Sequence, residues 1–162
     1  MSLPIAGKPR PTRPATHTPL DLDRLMKLGV AVEDAAEDAD EEQVAPEMLE
    51  ELAEEMGTDV SQLLAATAMT TDLELARPEE VTFVCCAGGC QGWGALDRVE
   101  DLFDIRRERA EAGKALFNIH ARNCLDRCQQ APVVLVHGPD GVAFLPEASR
   151  DDLEQAIDEL CG

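Results

Sequence analysis

Val84-Cys85-Cys86-Ala87-Gly88-Gly89-Cys90-Gln91-Gly92-Trp93-Gly94 and Asn123-Cys124-Leu125-Asp126-Arg127-Cys128-Gln129-Gln130-Ala131-Pro132 hold four cysteines in two pairs, Cys85/Cys90 and Cys124/Cys128. Each pair follows a β-like run, Val81-Thr82-Phe83-Val84-Cys85 for the first and Ala115-Leu116-Phe117-Asn118-Ile119-His120 for the second. Between them, Leu96, Val99, Leu102, Phe103 and Ile105 recur at helical spacing, and residues 106–113 read as a polar connection.

Beyond the second pair, Pro132-Val133-Val134-Leu135-Val136 reads as a strand. Gly138-Pro139-Asp140-Gly141 reads as a tight turn, and Val142-Ala143-Phe144-Leu145 as its hairpin partner. Ser149 or Asp151 caps a last helix expected to bury Leu153, Ile157 and Leu160. The order β-α-β-β-β-α predicts a small three-layer α/β fold over residues 80–162, in the thioredoxin-like arrangement.

Upstream, residues 20–70 read as a short helical region. Leu22, Leu25, Met26 and Val30 mark one helix as far as Val32, and the acidic run 33–43 reads as its solvated end or a link. Val44, Met48, Leu49, Leu52, Ala53 and Met56 form the stripe of a second helix that starts at Pro46 and stops at Gly57. Thr58 or Asp59 caps a third, with Val60, Leu63, Leu64 and Thr67 inward; residues 70–80 read as a linker. Residues 1–19 carry five of the ten prolines, so a disordered, extended tail is expected there.

The formal net charge is −19, while residues 1–20 hold three basic residues and no acid, so the rest of the chain is more acidic still. Such a surface repels nucleic-acid phosphates and anionic lipid, and it suits either solubility or docking of a basic redox partner. Aromatics are 3% of the residues, too few for base-stacking platforms. No apolar run reaches the ~20 residues of a membrane span, so no direct membrane insertion is expected. The first residues show no secretory h-region, which makes a cytoplasmic location the expectation and turns six cysteines toward metal binding rather than disulfides.

A 2Fe–2S cluster takes four thiolates, two on each iron, which Cys85-x4-Cys90 and Cys124-x3-Cys128 could supply from two loops. Glycines in the first loop let backbone close round a cluster and aim N–H groups at its sulfurs. Structural zinc also takes four cysteines but favours Cys-x2-Cys knuckles, and thioredoxin-type dithiol chemistry uses Cys-x-x-Cys at a helix start; neither spacing occurs here. A zinc-stabilised protein-interaction module using the same four cysteines stays open as the alternative, as does a metal-free thiol sensor. Cys86 is a second candidate in the first loop, since Cys86-x3-Cys90 mirrors the second pair; otherwise it reads as a small core residue. Cys161 reads as a frayed free thiol. His17, His120 and His137 read as ordinary, Trp93 as an anchor for the following helix, and Arg122 and Arg127 as surface charges beside the second pair. No glycine fingerprint for a dinucleotide lies between a strand and a helix.

Val84-Cys85…Cys90 followed by Cys124-Leu125-x-x-Cys128-x-x-Ala131-Pro132-Val133-Val134 resembles the thioredoxin-like 2Fe–2S ferredoxins. Within them it is most similar to the small iron–sulfur subunit of the NADH dehydrogenase (complex I) module. The resemblance is specific over residues 81–146 and weaker over 44–70. It implies a one-electron carrier, with Cys85, Cys90, Cys124 and Cys128 as ligands. It also implies a redox partner, an FMN- and NADH-binding flavoprotein subunit of an NAD(P)H-linked oxidoreductase, and no catalytic site of the chain's own. The family's glycine two residues after Cys124 is Asp126 here, which puts a carboxylate beside the expected cluster. The family's aromatic stretch after the third helix is replaced by Ala68-Met69-Thr70-Thr71, which leaves a subunit and a free-standing ferredoxin both allowed.

Overall fold

A computed structural model describes residues 22–88 and 94–162, with the backbone alone at Cys128. The tail 1–19, Cys90 and Trp93 lie outside the described residues. Helix α1 (Leu22–Asp38) buries Leu25, Leu28, Gly29, Val32 and Ala36. Its inward face is therefore rotated from the expected one, and Leu22, Met26 and Val30 face solvent. The helix also runs six residues past the expected end at Val32, because Ala36 continues the buried stripe while the acids stay outside. Gly29 sits where α1 crosses the third helix; a side chain there would run into Thr70 Oγ1, which is itself tied to the Ala66 carbonyl at 2.7 Å.

Strand β1 (Gln43–Val44) leads to α2 (Pro46–Met56), which ends at Gly57 in the left-handed region. Helix α3 (Val60–Thr70) follows Asp59, whose side chain makes no capping hydrogen bond. Strand β2 (Glu74–Leu75) pairs parallel with β1, so the expected acidic link and linker each contain one line of a small two-stranded sheet. Strands of two residues leave no alternation to read.

The main sheet is built from β3 (Thr82–Cys86), β4 (Asn118–Arg122), β5 (Val134–Gly138) and β6 (Gly141–Leu145), in the order β4-β3-β5-β6. Helix α4 (Ala95–Glu111) joins the parallel pair β3 and β4, and α5 (Arg150–Cys161) closes the chain. Strands β3, β4 and β5 begin later than expected, and β6 begins one residue earlier, at Gly141. The β5 boundary moves because Pro132 has no N–H to give a ladder. The β4 boundary moves because pairing starts where the Asn118 N–H reaches the Val81 carbonyl at 2.8 Å.

Strand alternation sorts the sheet into two faces. Phe83, Cys85, Ile119, Val134 and Val136 share one core with the buried residues of α1–α5. Val84, Cys86, Val133 and Leu135 face the other way and are covered by Ala95, Leu125 and Ala131. Among the described residues, then, the expected third layer is a loop, the one that carries the second cysteine pair. The fold is mixed α/β, with helices on one face of the four-stranded sheet.

Residues 106–111, expected in a polar connection, are the last turns of α4. Arg106 and Arg109 are buried there because their guanidinium groups meet carbonyls: Arg106 Nε donates to Phe117 O (3.0 Å) and Arg109 Nε to Ala115 O (2.8 Å). Their ends reach Glu47 of α2 and Asp158 of α5. Ser149 caps α5 in a reciprocal capping box with Asp152. Leu160, expected to be buried, is 38% exposed in the last turn of α5, beside the hairpin at Gly138. No helix among the described residues is long and apolar enough to cross a membrane.

Candidate metal centre

The parallel pairing of β3 and β4 decides where the two cysteine loops lie. Both strands point the same way, so the segments that leave their carboxyl ends emerge side by side at one end of the sheet. That end is where open α/β sheets habitually place their sites. The register runs out at Cys86↔Arg122, and the Ala87 N–H then donates to the Arg122 carbonyl at 2.6 Å. Gly88 lies so close to Asn123 that a Cβ would collide with both its backbone and its side-chain oxygen. The first loop therefore starts in contact with the residue that precedes Cys124.

The cysteines differ sharply in environment. Cys85 points into the main core with Phe83 and Val134 and is 1% exposed. Burial, followed by the neighbouring Cys86, pushes its thiol up to about 12, so it is a poor thiolate where it stands. Cys86 is equally buried but on the opposite face, and its Sγ lies 3.3 Å from the Asn123 carbonyl. Cys124 is exposed at the head of the second loop. Cys128 opens a short 3-10 turn, Cys128–Gln130, and its side chain lies outside the described atoms, as does all of Cys90. Cys86 and Cys124 are thus on the side where the loops meet, and Cys85 is on the other.

The second loop is shaped around Cys124. Asp126 takes a left-handed backbone (φ 56°), a conformation that glycine adopts freely and that aspartate tolerates better than most residues. This turn aims the Asp126 N–H at Cys124 Sγ, 3.3 Å away. The Asp126 carboxylate also approaches that sulfur, at 3.8 Å. The loop is held down further along: Glu147 N–H donates to Gln130 O and Ala148 N–H to Pro132 O, each at 2.8 Å. Leu125 and Ala131 turn inward over Val84 and Cys86. Arg127 stacks over the Phe144 ring at 4.3 Å, and Arg122 is exposed.

The remaining candidates are structural. His120 is buried, with Nε2 3.4 Å from the Ala76 carbonyl, and burial holds its imidazole below the ordinary histidine range. Cys161 is not frayed: it is half-buried against the core, its carbonyl accepts from Arg109 Nη2 at 3.5 Å, and burial raises its thiol. Among the described residues no group of three or more His, Cys, Asp or Glu is poised to hold a metal ion. That set excludes Cys90 and the Cys128 side chain.

Of the expected donors and their neighbour, Cys86 and Cys124 are described at one end of the parallel strand pair, and a backbone N–H points at the Cys124 sulfur, an environment compatible with a thiolate ligand. The left-handed turn at Asp126 and the facing of Cys86 were not read from sequence. Asp126 standing where the resembled ferredoxins carry glycine was the available signal for the first, and the matched x3 spacings were the signal for the second. No known protein-family profile matches the chain, and no curated protein matches it either.

Proposed function

We propose that this protein carries one electron at a time on a single 2Fe–2S cluster held between the two cysteine loops, in a thioredoxin-like ferredoxin domain spanning residues 80–162. Cys90, Cys124 and Cys128 supply three of the thiolates, and one of the adjacent Cys85 and Cys86 supplies the fourth. The observation that carries this reading is the contact between the loops, where Ala87 bonds Arg122 and Gly88 packs on Asn123. When bound, such a cluster offers a reversible one-electron couple.

The chain's own residues hold and tune that site. The Asp126 N–H donates to Cys124 Sγ and stabilises a thiolate there. Leu125, Ala131 and Val84 keep water from the sheet side of the loops. The Asp126 carboxylate adds negative charge and opposes uptake of a further electron.

Among the described residues no constellation suits bond-making catalysis, and nicotinamide and flavin chemistry is assigned to a partner, a flavoprotein subunit or soluble reductase of basic surface. The net charge of −19 favours such docking by steering. The same charge disfavours nucleic acid, and a cytoplasmic location fits thiols kept for metal.

The test is iron, acid-labile sulfide and zinc per chain after anaerobic purification of the full-length protein. The proposal expects about two irons and two sulfides with red-brown colour. A colourless protein with about one zinc per chain would instead establish a zinc-stabilised interaction module.

A further inference from the structure

We infer that Cys86, and not Cys85, is the first-loop ligand. The inference rests on the cluster reading above and departs from the alignment that the family resemblance suggests. Strand β3 alternates, so its two adjacent cysteines cannot face the same site. Phe83 and Cys85 point into the helical core, paired across the ladder with Val136 and Val134. Val84 and Cys86 point to the side covered by the second cysteine loop. Cys86 Sγ is 3.3 Å from the carbonyl of Asn123, the residue before Cys124.

Bringing Cys85 to that side has a definite structural cost. A one-residue slip of β3 would turn every side chain of the strand to the opposite face. Phe83 is fully buried and meets Phe117 edge to face at 5.1 Å, so the slip would remove it from the helical core and break that contact. Twisting only the end of the strand would instead break the Cys86↔Arg122 register and the 2.6 Å bond from Ala87 N–H to Arg122 O that keeps the two loops together. With Cys86 as ligand no such change is needed. The two loops then present the same spacing, Cys86-x3-Cys90 and Cys124-x3-Cys128. Cys85 becomes a small apolar core residue.

The experiment compares the full-length protein with Cys85→Ala, Cys85→Val and Cys86→Ser, each purified anaerobically, checked for fold by far-UV circular dichroism, and read by iron content, visible absorption and EPR after reduction. Serine leaves an oxygen that can still bind iron, so Cys86→Ser should either lose its iron or keep it with blue-shifted absorption and altered g-values. At least one folded Cys85 variant should keep the wild-type iron content and spectra. A Cys86→Ser protein with wild-type spectra overturns the inference, and so does loss or alteration of the cluster in both Cys85 variants. If the wild-type protein itself carries no iron, the cluster reading fails and takes this inference with it. A cluster present in the wild type but tracking Cys85 refutes the ligand choice alone.

Discussion

Arg106→Met tests how the helical region is tied to the sheet. Arg106 is 6% exposed, and its Nε donates to the Phe117 carbonyl while Nη1 reaches Glu47 Oε1 at 2.6 Å. Methionine keeps most of the stem's packing and removes the guanidinium. The Phe117 carbonyl then loses a buried donor, which costs about 1–3 kcal/mol. The pair with Glu47 adds little, about 0.5 kcal/mol, because the Glu47 side chain is 57% exposed and screened by water. The expected loss is about 2 kcal/mol, or about 5 °C in Tm for a chain of this size. Urea unfolding should show a lower midpoint with an unchanged m-value. Glu47→Gln should cost less than about 1 kcal/mol, and the double variant should be no worse than the two losses added. Burial acts to raise the Glu47 carboxyl, but the Arg106 hydrogen bond, its own backbone N–H and the Arg106 charge outweigh it, so the net shift is downward. Its contribution is therefore complete above the ordinary glutamate pKa and is lost as pH falls through the lowered folded value. An Arg106→Met protein within about 0.5 kcal/mol of wild type would refute the claim that the Phe117 bond is needed.

Gly29→Ala should destabilise by about 1–3 kcal/mol despite alanine's better helix propensity, and Thr70→Ala in the same chain should recover part of that loss in urea midpoints. His120 is held below its ordinary pKa by burial, against the pull of the Ala76 carbonyl, so the unfolded chain binds the extra proton first. Stability should then be complete above about pH 6.5 and fall as pH drops below it, and a His120→Asn variant should lose that part of the slope. Asp126→Asn keeps the N–H directed at Cys124 and removes a carboxylate beside it, so the midpoint potential from redox titration should rise; an unchanged or lower value would remove Asp126 from the tuning of the site.

The helices and strands from β3 to α5 were legible because apolar runs of distinct period are separated by glycine and proline at Gly88, Pro132 and Gly138-Pro139. Placement within a strand was not, and here one residue matters. With a period of two, Cys85 and Cys86 face opposite ways, and the apolar run over residues 81–86 does not tell which face the helices cover and which the second loop. The acidic run after Val32 suggested a break, yet repulsion of a few tenths of a kcal/mol per pair is too weak to end α1 while Ala36 is packed. Arg106 and Arg109 looked solvent-facing because their charge says nothing of the carbonyls at Ala115 and Phe117 that receive them. The approach of the cysteine loops, by contrast, was implicit in the β-α-β order, since a crossover helix makes the strands parallel and brings their carboxyl ends together.

EPR of the anaerobically purified, dithionite-reduced full-length chain decides whether a single redox cluster lies between those loops. The reduced protein should give one rhombic spin-half signal integrating to about one spin per chain, absent from the oxidised protein and abolished or altered in both Cys124→Ser and Cys128→Ser. A reduced protein that holds stoichiometric metal and is EPR-silent, or a signal unaffected by either substitution, would contradict it.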